Sequence, residues 1–423
     1  MRTMKDSGIE WIGEIPEDWE VCKLKYLAKV QTGNTPSMTN EELFFSKDKG
    51  IPWIKAENLN NYYSIEKTEL YLTVAGKQEG RIFPKNTVFV CCIASVGKVG
   101  FSCIEASCNQ QINGLSFNDR LCWKYGFYLS KAQEEEYLLL ASGNVVKILN
   151  SERQKNIFCT LPSLSEQQRI VDFLDDKVSQ IDSTISKTRE SIEEYKKLKQ
   201  AIITEAVTKG LNPNAKMKNS GIEWIGDIPE EWECFYLSQI FTPVKNKNIG
   251  LIENNLLSLS YGKIIRKNIE TTFGLLPENF EGYNIIQEND IVLRLTDLQN
   301  DHKSLRVGIA KEKGIITSAY LTLRNQTKKF VKYFYYLLHS FDIAKGFYGM
   351  GAGVRQGLNW SEIRSLRMIA PKDISEQQQI ADYLDQKCSE IDALITKKEQ
   401  LVVELETYKK SLIYEVVTGK RSV

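Results

Sequence analysis

The chain has 423 residues, of which 42% are hydrophobic and 26% are charged, and its formal net charge is +1. This length exceeds that of an ordinary single domain and predicts two or three domains of a globular protein. The near-zero net charge neither favours nor excludes nucleic acid, because binding depends on a local basic patch rather than on the total.

The amino-terminal stretch MRTMKDSGIE is polar, and the sequence contains no run of about 18 apolar residues that could span a membrane. Its nine cysteines are an odd number in a long chain, which indicates reduced thiols rather than a disulfide framework. We therefore expect a cytoplasmic protein without membrane contact.

The first notable stretch is SGIEWIGEIPEDWE, which begins at Ser7 and returns with two conservative changes as SGIEWIGDIPEEWE at Ser220. Its apolar side chains are expected to anchor the start of a module, either on a frame within the chain or on a partner protein. The candidate anchors include Trp11, Trp19, Trp224 and Trp232.

Each copy is followed by a region of short β-rich runs and turn signals, residues 21–160 and 234–370. TVFVCCI at Thr87 and DIVLRL at Asp290 are typical of buried strands, whereas KYGFYLSKAQ at Lys124 predicts a short helix. Between the two regions we find almost no sequence match apart from ASGNVVKIL opposite GAGVRQGLN. They are therefore predicted to be diverged modules of α/β or α+β type.

A second repeated segment, SEQQRIVDFLDDKVSQID at Ser165, returns as SEQQQIADYLDQKCSEID at Ser375. Apolar residues then step by three and four over about 44 residues, which predicts a long helix with a coiled-coil seam. Ser165 with Gln168, and Ser375 with Gln378, fit a capping box at the helix start. The glycines at 210 and 419 are predicted to end the helices.

Two matched seams in one chain most simply pair with each other, although pairing between separate chains is an alternative. The predicted fold is thus α/β, with mixed α+β recognition modules, two long antiparallel coiled-coil helices, and a tandem duplication with internal pseudo-twofold symmetry. We predict four segments: module 1 over 1–162, helix 1 over 163–212, module 2 over 213–372, and helix 2 over 373–423.

Catalytic motifs are missing from the sequence: there is no GxGxxG after a strand, no Walker A sequence, no HExxH and no GxSxG. Cys91, Cys92, Cys103 and Cys108 cluster, but without CxxC spacing or a nearby histidine, so we interpret them as core residues and predict no metal site. An ExK sequence at Glu20 matches half of a nuclease motif, but its repeat copy lacks the lysine. We therefore predict no catalytic residues.

Two diverged modules on a repeated frame indicate a binding protein with two specificities. Arginine suits guanine, Asn and Gln suit adenine, and lysine more often holds phosphates, so both modules contain side chains suited to DNA. An ordinary exposed position is the alternative for each candidate. The candidates are Thr32, Asn34, Lys55, Asn58, Lys98, Asn109, Gln110 and Lys147 in module 1, and Arg266, Arg294, Lys303, Arg306, Arg355 and Gln356 in module 2.

Taken together, the repeated SGIEWIG stretches, IPWIKAENL at Ile51, and the helix starts LPSLSEQQRIVDFLD at Leu161 and APKDISEQQQIADYLD at Ala370 resemble the specificity (S) subunit of type I restriction–modification enzymes. The resemblance runs the length of the chain. It implies two target recognition domains, each reading one half of a bipartite, asymmetric site in double-stranded DNA. It also implies that the paired helices set the spacing between the half-sites.

The same resemblance implies partners that carry the catalysis. Two methyltransferase (M) subunits would dock on the helical frame and bind S-adenosylmethionine, and restriction/translocase (R) subunits would join them, so no cofactor is expected in this chain. Besides the tryptophans, the candidate partner contacts are Gln167, Gln168, Gln377 and Gln378.

Two other binding roles remain alternatives at this stage. A stand-alone sequence-specific DNA-binding regulator would bind DNA without a partner, but no helix-turn-helix is evident. A coiled-coil scaffold would organise partner helices without binding DNA, and the amide-rich and basic modules argue mildly against it. A fused nuclease or methyltransferase has the least support.

Overall fold

A computed structural model of the chain describes residues 2–37, 41–59, 62–269, 279–298, 305–350 and 357–423. It divides into two compact units: unit 1 is Met1–Arg189 with Glu399–Val423, and unit 2 is Glu190–Lys398. Each unit thus combines one module with parts of both long helices, while the division into four segments stays a prediction. Among the described residues, no helix is long and apolar enough to cross a membrane.

The elements of unit 1 follow the chain in this order. Its strands are β1 Met4–Asp6, β2 Glu14–Pro16, β3 Glu20–Lys23, β4 Ala28–Thr32, β5 Phe45–Ser46, β6 Ile51–Ile54, β7 Tyr71–Leu72, β8 Ile82–Phe83, β9 Thr87–Cys91, β10 Val99–Ser102, β11 Ala106–Cys108, β12 Ile112–Phe117 and β13 Phe158–Leu161. Its helices are α1 Glu41–Phe44, α2 Val74–Glu79, α3 Trp123–Ala132, α4 Glu134–Leu140, α5 Ser151–Lys155 and the long α6 Leu164–Lys209, which continues into unit 2.

Unit 2 adds the remaining elements. Its strands are β14 Met217–Asn219, β15 Asp227–Pro229, β16 Trp232–Tyr236, β17 Phe241–Pro243, β18 Leu257–Ser260, β19 Lys263–Arg266, β20 Asn284–Ile286, β21 Ile291–Leu293, β22 Val307–Ile309, β23 Gly314–Ile316, β24 Leu321–Asn325 and β25 Arg367–Pro371. Its helices are α7 Val331–Ile343, α8 Trp360–Ile363 and the long α9 Ile374–Val417, which returns to unit 1.

Both units are built on a four-stranded antiparallel sheet with a helix on one face. The strand order is β10-β9-β12-β4 in unit 1 and β22-β21-β24-β17 in unit 2. In β9, Val88 and Val90 pack in the core that includes α3, whereas Phe89 and Cys91 pack in the core under a second sheet. Because successive strand residues face opposite sides, this central strand is apolar throughout. The mixed α/β fold is therefore confirmed.

The second layer is where the two modules differ. Unit 1 has a mixed sheet in the order β5-β7-β6-β11-β8, in which β6 and β11 are parallel. Unit 2 has the hairpin β18–β19 and the pair β20–β23, linked by a parallel bridge between Leu256 and Ile315. The diverged sequence of residues 21–160 and 234–370 thus corresponds to one common layer and one altered layer.

The long helices α6 and α9 have 46 and 44 residues and pair antiparallel within each unit. In unit 1 Lys409 Nζ lies 2.5 Å from Asp182 Oδ1, and in unit 2 Lys199 Nζ lies 2.7 Å from Asp392 Oδ1. The predicted seam is confirmed as buried or half-buried. It comprises Val171, Leu174, Val178, Ile181, Ile185, Ile192 and Tyr195 of α6, and Ala381, Leu384, Cys388, Ile391, Ile395, Val402, Leu405, Leu412 and Val416 of α9.

The helix ends were predicted correctly and the helix starts were not. Gly210 and Gly419 follow the last turns with φ of +76° and +74°, a conformation that glycine adopts without strain. At the starts, Ser163 Oγ accepts from the Glu166 N–H at 3.3 Å, and Asp373 Oδ1 accepts from the Ser375 N–H at 2.9 Å. The predicted capping boxes at 165 and 375 are wrong, because those serines already lie inside the first turn.

Candidate nucleic-acid interface and its helical frame

The repeated tryptophans Trp19 and Trp232 are each 1% exposed and fasten the module to the first turn of a long helix. Trp19 Nε1 donates to Glu166 Oε2 at 3.0 Å, and Trp232 Nε1 donates to Glu376 Oε1 at 3.0 Å. Both rings are therefore buried within the protein, and both ring N–H groups have a partner there. The prediction that these two tryptophans contact a partner protein is wrong, and the alternative of an anchor on the helical frame is correct.

In unit 1 a charge network surrounds this anchor. Arg2 donates to both Glu166 and Asp18, with 2.6 Å between Arg2 Nη2 and Asp18 Oδ2. The hydrogen bond from Arg2 is the main reason that the pKa of Glu166 lies below its usual value, and the Trp19 bond acts in the same direction. Glu166 is thus held as a carboxylate beside the helix amino terminus, where negative charge is favourable.

Gln167 and Gln377 are fully buried and bridge the module to the helix start. Gln167 Oε1 accepts from the N–H of Cys122 at 2.7 Å, and Gln377 Oε1 accepts from the N–H of Phe330 at 3.0 Å. Their amide nitrogens donate to backbone carbonyls, at 2.9 Å to Pro162 for the first and 2.8 Å to Pro371 for the second. Partner contact by these two side chains is excluded by burial.

The remaining partner candidates are accessible to different degrees. Gln168 and Gln378 are exposed on the first turns of α6 and α9, and Trp11 and Trp224 are half-buried. Their role as partner contacts stays a prediction.

The structure reveals a further set of matched contacts that the sequence interpretation missed. Asp175 accepts from Lys124 Nζ at 2.6 Å and from the Tyr128 hydroxyl at 2.7 Å. Asp385 accepts from two equivalent residues, Lys332 Nζ and the Tyr336 hydroxyl, each at 2.7 Å.

The missed signal was present in the sequence. KYGFYL at Lys124 and KYFYYL at Lys332 share a lysine, two tyrosines and a leucine in register. These residues place α3 and α7 on the helical frame by the same contacts in both units.

In unit 1 the predicted DNA contacts gather at one end of the sheet, which we call the loop end. It is formed by the end of β4 at Thr32, the end of β9, and the starts of β10 and β12. Lys147 belongs here because its carbonyl accepts from the Ala94 N–H at 3.1 Å, just after β9. Lys55 belongs here because Ile54 O accepts from the N–H of Asn109 at 3.2 Å. The other candidates on these loops are Asn34, Asn58, Lys98 and Gln110.

Several of these polar side chains form hydrogen bonds within the loops and so stabilise the loop conformation. Asn34 donates to Glu79 O at 2.7 Å and accepts from the Arg81 N–H at 2.5 Å. Asn109 exchanges two hydrogen bonds with Gln111, at 3.1 and 3.2 Å. These bonds use one donor and one acceptor of each amide and fix its orientation in the loop.

Further candidates of unit 1 are held by their neighbours. Thr32 Oγ1 donates to Asn113 at 2.8 Å, and Asn58 Oδ1 accepts from the Lys55 N–H at 2.8 Å. Lys55 Nζ lies 3.1 Å from Glu69, whose hydrogen bond raises the pKa of the lysine. Gln110 and Lys147 are exposed and Lys98 is half-buried, although the side-chain oxygen of Gln110 accepts from Thr35 Oγ1. Their role as DNA contacts stays a prediction.

Unit 2 has an equivalent loop end, formed by the ends of β17 and β21 and the starts of β22 and β24. Leu358 N donates to Leu295 O at 2.8 Å, as Leu149 N does to Cys92 O at 2.8 Å in unit 1. Leu149 and Leu358, at the carboxyl ends of the matched stretches ASGNVVKIL and GAGVRQGLN, therefore make equivalent contacts. Arg294 follows β21 and is half-buried. Of the other candidates, Lys303, Arg355 and Gln356 lie outside the described residues.

Arg306 is not a DNA contact but an internal brace of this loop end, since it is 0% exposed. Its guanidinium donates to the carbonyls of Thr296 at 2.7 Å and Asp297 at 3.1 Å, and to the Tyr348 hydroxyl at 3.1 Å. Buried charge is tolerated only with such bonds. Arg266 is exposed, but it is paired with Glu312 at 2.7 Å.

Sequence reasoning also missed Arg81, an exposed residue at the loop end of unit 1. Its guanidinium donates to the Thr32 carbonyl, so it belongs to the same group of side chains. Only the fold brings it there, because it follows α2, almost fifty residues later in the chain.

Of the clustered cysteines, Cys91, Cys92 and Cys108 are buried in the core and Cys103 is half-buried, whereas Cys234 elsewhere in the chain is exposed. All nine are free thiols, and no cluster of three or more metal-ligating side chains occurs among the described residues. Burial raises the pKa of Cys92 to about 12 and the pKa of Cys91 above its usual value. Such thiols stay protonated and are poor metal ligands.

Fold and site together define a class: a duplicated protein in which each of two differing recognition modules packs on a pair of long helices by the same contacts. The family profile of the type I restriction modification DNA specificity domain matches residues 16–194 and 229–404. The chain therefore belongs to this family.

Individual relatives agree with that assignment. Over 96% of this chain and 93% of the relative, it is 26% identical to the type I restriction enzyme MjaVIII specificity subunit of Methanocaldococcus jannaschii. The MjaIX specificity subunit of the same organism is 33% identical, over 38% of each chain.

One solved structure, described as the structural basis underlying complex assembly and conformational transition of the type I R-M system, has a similar fold. Its TM-score is 0.71 at 13% identity, over 96% of this chain and 99% of that chain.

Proposed function

We propose that this chain is the DNA-recognition subunit of a type I restriction–modification complex. Each loop end reads one half of a bipartite, asymmetric site in double-stranded DNA, and the paired helices set the spacing between the halves. The observation that carries the proposal is the repetition of the frame contacts in both units beside a difference in the second sheet layer and the loop ends. Two modules that share their helix contacts but differ in their loop ends suit a DNA site whose two halves differ in sequence.

The chain itself catalyses nothing in this proposal and binds no cofactor. Two M subunits, which carry S-adenosylmethionine, dock on the two copies of the frame, and R subunits join to complete the restriction enzyme. Gln168 and Gln378 support a pair of docking sites, because they occupy equivalent exposed positions on the first turns of α6 and α9. We place this assembly in the cytoplasm.

A module exchange tests the proposal. Residues 21–160 are replaced by the corresponding region of another family member, and the chimera is produced with its methyltransferase partner. Profiling of methylated adenines should then show a change in one half of the recognised sequence only. A change in both halves, or none, would contradict the modular interpretation.

The exchange has an internal control, because replacing residues 234–370 instead should alter the other half-site. The same experiment addresses the alternative of a stand-alone regulator. If the purified chain alone binds the bipartite duplex as tightly as the complex does, the methyltransferase has no part in recognition and the regulator is favoured.

A further inference from the structure

The hairpin β18–β19 of unit 2 has its tip at the loop end of that unit. Leu257 pairs with Arg266 and Ser260 with Lys263, so Tyr261 and Gly262 form a two-residue tip. The tip lies at the loop end because a Cβ on Gly262 would be 3.0 Å from the Cβ of Leu305, two residues before β22.

In unit 1 the equivalent strand is β6, which runs parallel to β11 as Leu256 does to Ile315. Its chain turns away after Ile54 into the short turn that carries Lys55. The strand that returns beside β6 is β7, which pairs only with Ile51 and Pro52 at the start of β6. Among the described residues, the tight two-residue turn between this strand and its return occurs in unit 2.

One face of the hairpin is fixed to the module. Leu257 and Leu259 are buried in a core with Val292 of the central strand. Gly308 of β22 leaves room for this packing, since a Cβ there would lie 2.6 Å from Leu259 Cδ1. At the base, Arg266 Nε donates to Glu312 at 2.7 Å. The hairpin is therefore held in one orientation.

The tip carries a residue that folding alone would not favour. Tyr261 has φ +45° and Gly262 has φ +77°, which is the pattern of a type I′ turn. Asn or Asp usually fills the first position, and a bulky residue there costs free energy. Tyr261 is nevertheless 75% exposed, so packing does not offset that cost.

The outward face of the hairpin is equally suited to contact. Ile265 is 42% exposed, and Lys263 is exposed. Because Ser258 pairs with Ile265 and Ser260 with Lys263, these four side chains share the face opposite to Leu257 and Leu259. The free side of the hairpin thus combines the aromatic Tyr261, the cation Lys263, the hydroxyls of two serines and the apolar Ile265. Its other side is packed on the module.

We propose that this hairpin is the groove-entering element of the second recognition module, resting on the proposed function above. A major groove about 12 Å wide and 8.5 Å deep admits a two-stranded ribbon. Because Leu257 and Leu259 are packed on the module, the tip and the outward face of the hairpin are the parts that can enter this groove. Lys263 and Ser260 bond base edges, Ile265 meets a thymine methyl group, and Tyr261 contacts the duplex at the deepest point.

The test uses the full chain in complex with its methyltransferase partner. The recognised sequence is first established by methylation profiling of the wild type, and a duplex of that sequence is the probe. Tyr261→Asn removes the ring but suits the turn, so thermal stability should be equal or higher. Tyr261→Asn and Lys263→Ser should each weaken binding by about ten- to a hundredfold. Tolerance of base changes should rise in one half-site only.

Tyr236→Asn serves as the matched control, because Tyr236 is 51% exposed in the same unit but lies in β16, just before the opposite end of β17. It should bind as the wild type does.

If the wild type reads a bipartite sequence and both hairpin variants keep its affinity and sequence preference, the hairpin proposal is wrong while the proposed function stands. If Tyr261→Asn instead loses the methyltransferase from the complex, the hairpin is a protein contact and the proposal is also wrong. If the wild-type complex shows no sequence-specific DNA binding, the proposed function itself is contradicted.

Discussion

The hydroxyl of Tyr333 donates a hydrogen bond to the backbone carbonyl of Val207 at 2.9 Å. Val207 lies in the last turn of α6, where carbonyls have no partner within the helix. In unit 1, Tyr125 makes the same bond to Val417 at the end of α9, at 3.1 Å. The last turn of each long helix thus accepts a hydrogen bond from a tyrosine of the short helix packed beside it, α3 in unit 1 and α7 in unit 2.

This relationship predicts unequal effects of removing the two hydroxyls. Val417 O also accepts from Thr160 Oγ1 at 2.7 Å, whereas the position equivalent to Thr160 in β25 is Ile369. Tyr333→Phe leaves a buried carbonyl without that donor and should cost about 1–3 kcal/mol, while Tyr125→Phe should cost less. Urea unfolding of the two variants measures the difference, and a larger loss for Tyr125→Phe would contradict it.

Glycine at the two helix ends gives a second matched pair. Both have positive φ, so alanine at either should cost about 1–2 kcal/mol. Gly419→Ala should cost more than Gly210→Ala, because its Cβ would lie 2.3 Å from Pro16 Cδ, whereas the nearest atom to a Cβ at 210 is Trp232 Cζ2 at 3.3 Å. Thermal unfolding should rank the two variants in that order, and equal losses would show that the Pro16 contact relaxes.

The buried brace predicts that Arg306→Lys destabilises unit 2 and disturbs recognition together. Lysine cannot reproduce the fork of donors to Thr296, Asp297 and Tyr348, so carbonyls of the loop lose partners, at a cost of roughly 2–4 kcal/mol. DNA affinity of the complex should fall with it. Arg364→Lys, at an exposed arginine of the same unit just after α8, is the control for a mere change of cation. An equal effect of both variants would argue against a positioning role.

His339 predicts a loss of stability on acidification. It is buried, and its Nδ1 has no hydrogen-bond partner among the described residues. Burial, with a smaller effect of Lys199, lowers its pKa to about 4, below the ordinary 6.5. The unfolded chain therefore takes up the proton first, and stability is lost as the pH falls from 6.5 towards 4.

The loss between about pH 7 and about pH 5 should be about 2 kcal/mol. Urea unfolding at the two values measures it. His339→Gln should flatten the dependence by that amount, and an unchanged slope in the variant would assign the effect to other groups.

Lys147 tests whether the loop end of unit 1 meets phosphate. Lys147→Ser should weaken binding to all duplexes alike and reduce the salt slope of the logarithm of the binding constant by about 1. Lys85→Ser is the control, since Lys85 is an exposed lysine before β9, at the opposite end of the sheet. A wild-type slope in Lys147→Ser would remove it from the contacts.

From the sequence alone, the repeats predicted the duplication, and the spacing of apolar residues predicted the two long helices with their buried seams. The glycines at 210 and 419 gave the helix ends. These features follow from local periodicity and backbone preference, which neighbouring residues express without knowledge of the fold.

The sites depended on contacts between residues distant in sequence, and there only the tertiary structure could decide. The sequence allowed Trp19 to be a partner contact, but in the structure its ring N–H donates to Glu166. It also allowed Arg306 to be a DNA contact, but there the guanidinium donates to the carbonyls of residues 296 and 297. A polar side chain looks the same in the sequence whether its donors face solvent or buried carbonyls, because burial is fixed by packing. The loop ends likewise exist only once antiparallel pairing brings separate strand ends together.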